Sequence, residues 1–73
     1  MAKAISYDKL WKLLIDKKMN RTELKNASGI STASLAKLNK GENLTTSVLL
    51  KICTALDCDF ADIMETIDVP TQI

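Results

Sequence analysis

The apolar residues of the chain recur three or four positions apart, which places them on one face of a helix. In the first segment, from about Tyr7 to Lys17, Leu10, Leu13 and Leu14 share such a face. The regular alternation of apolar and polar residues that is typical of strands is not evident. The pattern predicts five helices: 7–17, a segment from Asn20 to Gly29, 32–39, 46–56, and a fifth that opens at Asp59 and reaches Ile67.

Polar capping residues stand where four of these helices begin, and glycines stand where two of them end. The candidate caps are Asn20, Ser31, Thr45 and Asp59. Glu23 and Asp62 each follow a cap by three residues, which is the spacing of a capping box. Gly29 and Gly41 suit helix ends because glycine tolerates the left-handed backbone conformation found there. The short connections between these signals predict a compact all-α fold.

The length of 73 residues allows one domain with a modest core. We expect a single domain over 1–73, with its core in 7–67 and a flexible tail over 68–73, because Pro70 ends the last helical segment. No apolar run approaches the roughly 20 residues needed to cross a membrane. The first residues also lack the apolar stretch of a signal peptide. The expected location is therefore the cytoplasm.

The centre of the chain carries the most informative spacing. Leu24, Gly29, Ile30, Leu35 and Leu38 predict two short helices that cross steeply, with a glycine-containing turn between them and their apolar residues meeting underneath. This pair cannot bury its own apolar face, so the other helices must form a platform below it. The second helix of the pair is pushed outward, as in proteins that insert such a helix into the DNA major groove.

The outer face of that second helix consists of small and basic residues without a carboxylate. At 100° per residue, its members fall on the side opposite Leu35 and Leu38; they are Thr32, Ala33, Ala36 and Lys37. The major groove is about 12 Å wide and bordered by phosphates, so a helix that enters it should be slim and free of acids. Threonine and lysine can hydrogen-bond base edges, and alanine can pack on a thymine methyl group.

The net charge of +1 conceals an uneven distribution along the chain. All ten basic residues lie in 1–51, together with only four acids, whereas the remainder carries five acids and no base. A basic body with an acidic C-terminal end can meet a polyanion on one side without being basic overall.

Catalytic and metal chemistry finds little support in the composition. The chain has no histidine, no phosphate-cradling glycine loop and no nucleophile motif, so we expect no enzyme, no cofactor and no metal site. Cys53 and Cys58 are five residues apart, which fits neither a zinc pair nor a CxxC redox pair. We interpret them as small core residues, and a disulfide or a reactive thiol stays open as an alternative.

The segments NRTELKNASGISTASLAKLNKGE (20–42) and LLKICTALDCDFADIM (49–64) resemble the Cro/C1-type helix-turn-helix proteins, the Xre family of repressor-like transcriptional regulators. The resemblance extends over about 7–67 and is strongest to small bacterial members that stand alone. It implies a five-helix fold, no cofactor, and binding to an operator in double-stranded DNA, commonly as a symmetric homodimer.

Carried over by position, the resemblance implies specific roles. Thr32, Ala33 and Lys37 match base-reading positions, and Ala36 lies beside them. The implied phosphate contacts are Arg21, Lys25, Ser31, Lys40, Asn43 and Thr45. The sequence departs from the family at Lys25, where alanine is usual because the two helices crowd together. A lysine there has to extend outward, which affects the docking geometry more than the fold.

The predicted fifth helix supplies the candidate dimer face, with Phe60, Met64 and Ile67 following the main core. Trp11 is interpreted as core or dimer packing rather than as a base-stacking platform. Ordinary surface roles stay open for the predicted contacts, such as Lys37 as a solvated lysine and Thr32 as a helix-start residue. The alternative function is a protein–protein interaction module on the same fold that does not bind DNA and uses its acidic end to bind a basic partner.

Overall fold

The computed structural model describes residues 2–70, which form five helices and two strands. In chain order these are β1 (Ala2–Ser6), α1 (Asp8–Asp16), α2 (Arg21–Ser28), α3 (Thr32–Lys40), α4 (Thr46–Leu56), α5 (Phe60–Ile63) and β2 (Glu65–Val69). The starts of α2 to α5 follow the predicted caps. Five helices are therefore confirmed, whereas the prediction of a strictly all-α fold is wrong.

The helix ends show why the local sequence could be interpreted correctly. The Asn20 side chain accepts a hydrogen bond from the Glu23 amide at 2.7 Å, and the Glu23 carboxylate accepts one from the Asn20 amide at 3.0 Å. Ser31 and Thr45 cap α3 and α4 in the same way through their hydroxyl oxygens. Gly29, with φ of 75°, and Gly41, with φ of 71°, end α2 and α3 in the left-handed conformation. The caps at Asn20 and Ser31 and the two glycines thus fix the bounds of α2 and α3, the central helix pair.

The C-terminal end departs from the prediction. The fifth helix stops at Ile63 rather than near Ile67, and Glu65–Val69 pairs antiparallel with Ala2–Ser6. Residues 66, 67 and 69 are Thr, Ile and Val, which favour strands because their branched side chains suit a pleated surface. Strand β2 also takes in Asp68 and Val69, the start of the segment predicted to be a flexible tail. The end of that segment, 71–73, lies outside the described residues.

Each of the five helices contributes one fully buried apolar side chain to a common core. These residues are Leu10, Leu24, Leu38, Ile52 and Ile63, in the order α1 to α5. Burying a side chain of this size stabilises a fold by about 1.5–3 kcal/mol. Leu38 is the fully buried residue of α3, so it anchors that helix by one side while the opposite side faces outward.

The two-stranded sheet joins the two ends of the described chain. Its register pairs Ala2 with Val69 and Ser6 with Glu65. A cross-strand ion pair joins Lys3 Nζ to Asp68 Oδ1 at 2.7 Å. Lys9, in the first turn of α1, donates to the Ala61 carbonyl at 3.0 Å and lies 3.8 Å from the Glu65 carboxylate. A two-stranded sheet is marginal on its own, and these contacts tie it to the helices.

Candidate nucleic-acid interface

Helix α3 presents an outer face of small and basic residues. All four predicted base-reading residues are exposed, namely Thr32, Ala33, Ala36 and Lys37. Leu38 is buried below them, and Leu35 is half-buried against the core. The face is exposed because the two leucines lie on the opposite side of a regular helix that begins at the Ser31 cap. The structure thus brings the four residues together on one accessible surface.

The chemistry of this surface suits a polyanion. Helix α3 contains no carboxylate, and Lys37 and Lys40 lie in its last turn. Lysines there also interact favourably with the negative end of the helix dipole, which is an ordinary structural role for them. The small side chains at the N-terminal end leave the helix slim enough to approach the floor of a groove.

The cations around α3 differ from those at the sheet in their partners. Among residues 2–70, the lysines in ion pairs are Lys3 and Lys9, whose partners belong to β2. Arg21, Lys37 and Lys40 are exposed and have no carboxylate partner within that range. The basic residues of the central pair therefore stay available to an external anion.

Arg21, the first residue of α2, takes part in a cluster that the sequence did not reveal. Its guanidinium carbon lies 3.8 Å from the centroid of the Trp11 ring, and its Nη1 donates a hydrogen bond to Asn39 Oδ1. Trp11 is half-buried against the core, in accordance with its interpreted packing role. Asn39 was not among the predicted site residues. The contact joins residues far apart in the chain, so no local pattern could have indicated it.

Lys25, the departure from the family pattern, lies half-buried on α2. The helix around it is regular, because the Lys25 carbonyl accepts the Gly29 amide at 2.9 Å and neighbouring Leu24 is fully buried. The lysine is therefore accommodated without breaking α2 or the turn. Its aliphatic stem is long enough to lie along apolar surface while the ammonium group reaches water.

The remaining predicted phosphate contacts are exposed at helix starts, at the end of α3 and in the connection that follows it. Ser31 and Thr45 use their hydroxyl oxygens to cap helices, with amide-to-oxygen distances of 3.1 and 3.3 Å. Ser31 also donates to the Ser34 hydroxyl at 3.1 Å, which occupies its proton. Lys40 and Asn43 are exposed on either side of Gly41. Of this group, Lys40 offers the only full positive charge.

The predicted dimer residues do not form one helix face. Phe60 lies on α5 and Met64 in the link to β2, and both line an apolar groove together with Ile5. Ile67 lies on β2, with 41% of its surface exposed, and borders a different groove beside Trp11. The structure therefore brings Phe60 and Met64 together and separates Ile67 from them. The single helix assumed for all three is wrong because α5 ends at Ile63.

The cysteines lie away from this interface, at the end of α4. Cys53 is buried, and burial together with the adjacent Cys58 raises the pKa of its thiol to about 11. Burial also raises the pKa of the Cys58 thiol. Both thiols are therefore protonated at neutral pH and pack as small side chains. Across residues 2–70, no cluster of three metal-ligating side chains is found, and none of the helices there is long and apolar enough to span a membrane.

Comparison with known proteins adds to this picture. The sequence model of the Cro/C1-type HTH DNA-binding domain matches residues 9–68, from within α1 to within β2. Among solved structures, the chain is similar to one described as the crystal structure of transcriptional regulator VanUg, Form II. The two share 51% sequence identity with a TM-score of 0.87, over 92% of this chain and 89% of that chain. No curated protein sequence matches the chain.

Proposed function

The chain belongs to the family of Cro/C1-type helix-turn-helix DNA-binding domains, and we propose that it is a transcriptional regulator that recognises specific double-stranded DNA through α3. Membership of the family confirms the resemblance drawn from 20–42 and 49–64. The observation that carries the proposal is the exposed, carboxylate-free face of α3, flanked by cations without acidic partners among residues 2–70. The similarity to a structure described as a transcriptional regulator supports the regulatory role. The protein would act in the cytoplasm.

In this proposal α3 enters the major groove and its outer face reads the bases. Thr32 donates or accepts a hydrogen bond at a base edge, and Lys37 donates to guanine O6 or N7. Ala33 and Ala36 permit close approach and pack against thymine methyl groups. Each good base contact discriminates against the wrong base by about 1–3 kcal/mol.

Phosphate contacts surround that face and supply affinity that does not depend on sequence. Charged contacts come from Arg21, Lys25 and Lys40, and polar contacts from Asn43 and from the helix starts at Ser31 and Thr45. Such contacts fix the register of the protein on the duplex, whereas the bases determine which duplex is preferred.

A symmetric homodimer would place two α3 helices about 34 Å apart on a pseudo-palindromic site. We propose the groove of Phe60 and Met64 as the contact between copies. The Met64→Glu substitution introduces a charge into this groove and should shift the protein to monomer in sedimentation experiments. A dimer that persists in this variant would exclude the groove as the interface.

The deciding experiment is duplex binding by fluorescence anisotropy, with a randomised DNA pool and salt from roughly 50 to 200 mM. The Thr32→Ala/Lys37→Ala variant tests the reading face, after circular dichroism has shown that it is folded. We expect steep salt dependence and a sequence-enriched fraction that this variant loses. Indifference to both sequence and substitution would reduce the interface to a basic surface. No binding at the lowest salt would favour the protein–protein interaction module instead.

A further inference from the structure

We propose that Trp11 and Asn39 are positioning residues that hold the Arg21 guanidinium ready for a DNA phosphate. The inference rests on the proposed function and adds two residues to it, neither of which touches DNA itself in this scheme. The three side chains come from α1, α2 and α3, so the cluster lies where the first three helices meet.

The cluster fixes a side chain that would otherwise be flexible. Arg21 is exposed, and an exposed arginine usually samples many rotamers. Here one face of the guanidinium lies against the Trp11 ring, with the guanidinium carbon 3.8 Å from the ring centroid. Its Nη1 also donates to the Asn39 amide oxygen. The stacking sets the plane of the guanidinium and the hydrogen bond sets its rotation within that plane.

The fixed guanidinium retains the capacity to bind an anion. A guanidinium carries five N–H donors, and the bond to Asn39 uses one of them. Among residues 2–70 no carboxylate pairs with Arg21. The face turned away from Trp11 and the unused donors are thus accessible, and the fork of donors matches the oxygens of a phosphate.

The position of Arg21 at the start of α2 strengthens this interpretation. The N-terminus of a helix carries partial positive charge, so an arginine there is electrostatically unfavourable in the free protein. The Trp11 ring and the Asn39 oxygen offset part of that repulsion, because each presents negative electrostatic potential to the cation. An external anion would be attracted by both the helix end and the arginine. In helix-turn-helix proteins the first helix of the pair crosses the DNA backbone, so α2 would lie beside phosphates.

Trp11 is suited to orient a neighbour because its own ring is held. It packs against the buried core from α1, and it is the single tryptophan of the chain. Asn39 is held by its place in α3, directly before Lys40. The bond from Arg21 to Asn39 therefore links the two helices of the motif.

The test is a double-mutant cycle on duplex affinity, measured with the randomised pool at fixed salt. The proteins are the wild type, Trp11→Leu, Arg21→Ala and the double variant. Removing Trp11 should weaken binding about three- to tenfold, the usual effect of fixing one flexible side chain before binding. In the Arg21→Ala background the same change should have no further effect. Asn39→Ala should also weaken duplex binding only in the presence of Arg21, by a smaller factor than Trp11→Leu.

Controls separate positioning from simple stability. Trp11→Phe keeps an aromatic face and should recover part of the affinity, whereas Leu50→Ala changes an exposed apolar residue of α4 and should change nothing. In the free protein, Arg21→Ala should alter the Trp11 emission, since that residue is the only tryptophan. Variants are compared only where circular dichroism shows the native helix content.

The outcomes are distinct. A wild type that binds no duplex at the lowest salt overturns the proposed function and this inference together. If the wild type binds, and Trp11→Leu lowers duplex affinity equally in the wild type and in the Arg21→Ala variant, only the inference is overturned. A loss confined to the background that contains Arg21 supports it.

Discussion

The α2–α3 pair and the C-terminal end formed by α5 and β2 use their charged residues in opposite ways. At the C-terminal end, lysines from the start of the chain reach acids of β2, Lys3 to Asp68 and Lys9 to Glu65. In the α2–α3 pair, Lys37 and Lys40 lie on the surface without a carboxylate partner in the described chain. The acids of β2 take part in ion pairs within the fold, whereas these cations of the α2–α3 pair stay free for an external anion.

The two regions differ in their surface charges but share one core. Leu24 and Leu38 from the central pair and Ile63 from α5 are all fully buried in the same cluster. The two regions therefore differ in their surfaces while they fold as parts of one unit. Four experiments test this difference between the two regions.

Truncation of a core residue should lower the free energy of unfolding by a similar amount in either region. We expect Leu24→Ala and Ile63→Ala each to lower the free energy of unfolding by about 2–5 kcal/mol, because each leaves a cavity in the shared core. Urea denaturation followed by circular dichroism measures both. If Ile63→Ala cost less than about 1 kcal/mol, the C-terminal end would have to be regarded as separate from the core.

Charge reversal should separate the two surfaces. Lys37→Glu places an acid among phosphates, and we expect duplex affinity to fall on the order of 100-fold at low salt. Lys12→Glu makes the same change on α1, in a groove it shares with Asp57 and Asp62 of the acidic end. That control should change affinity less than about threefold. Equal losses would show that net charge alone governs binding.

Two residues with positive φ allow a matched test of the backbone. Gly29, in the turn of the central pair, has φ of 75°, and an added Cβ would meet no atom within 4 Å. Gly29→Ala should therefore lower the free energy of unfolding by about 1–2 kcal/mol, because alanine is disfavoured in the left-handed backbone conformation. Asp57, which ends α4, has φ of 52°, so Asp57→Gly should raise the free energy of unfolding by up to about 1 kcal/mol, because glycine removes the steric cost of the left-handed conformation. Thermal unfolding of the pair would test these opposite signs.

The smallest effect is expected from the ion pair of the sheet. Both side chains of Lys3–Asp68 are about half exposed or more, so Lys3→Ala should change the free energy of unfolding by less than about 1 kcal/mol. The effect should disappear in high salt because the pair is screened. A double-mutant cycle with Asp68→Asn measures the coupling. A larger value that persists in salt would mean that the pair holds the sheet together.

The central pair could be predicted because its signals are local. The capping box of Asn20 and Glu23, the glycine ends and the two buried leucines all lie within 20–42, where they agree with one another. The strands could not be predicted in this way, since β1 becomes a strand only by pairing with a segment from the opposite end of the chain. Met64 and Ile67 are three residues apart, which fits a helix face, and this spacing concealed the β-branched run.

The candidate site could also be predicted only where its signals are local. The exposed face of α3 follows from helix geometry once Leu35 and Leu38 are assigned to the core. The Arg21 cluster depends on how α1, α2 and α3 approach one another, and a single sequence without a template holds no such distances. Roles assigned by position, such as Asn43 at a phosphate, stay predictions for experiment.

The pairing of β1 with β2 also determines where attached segments leave the molecule. Because Ala2 and Val69 are register partners, the start of the first strand and the end of the second lie side by side. A short linker could therefore join these two points, and the chain could be opened instead between α1 and α2. Such a circular permutant would keep α2, its turn and α3 uninterrupted, and it would convert the sheet into a hairpin closed by local contacts, which should speed folding.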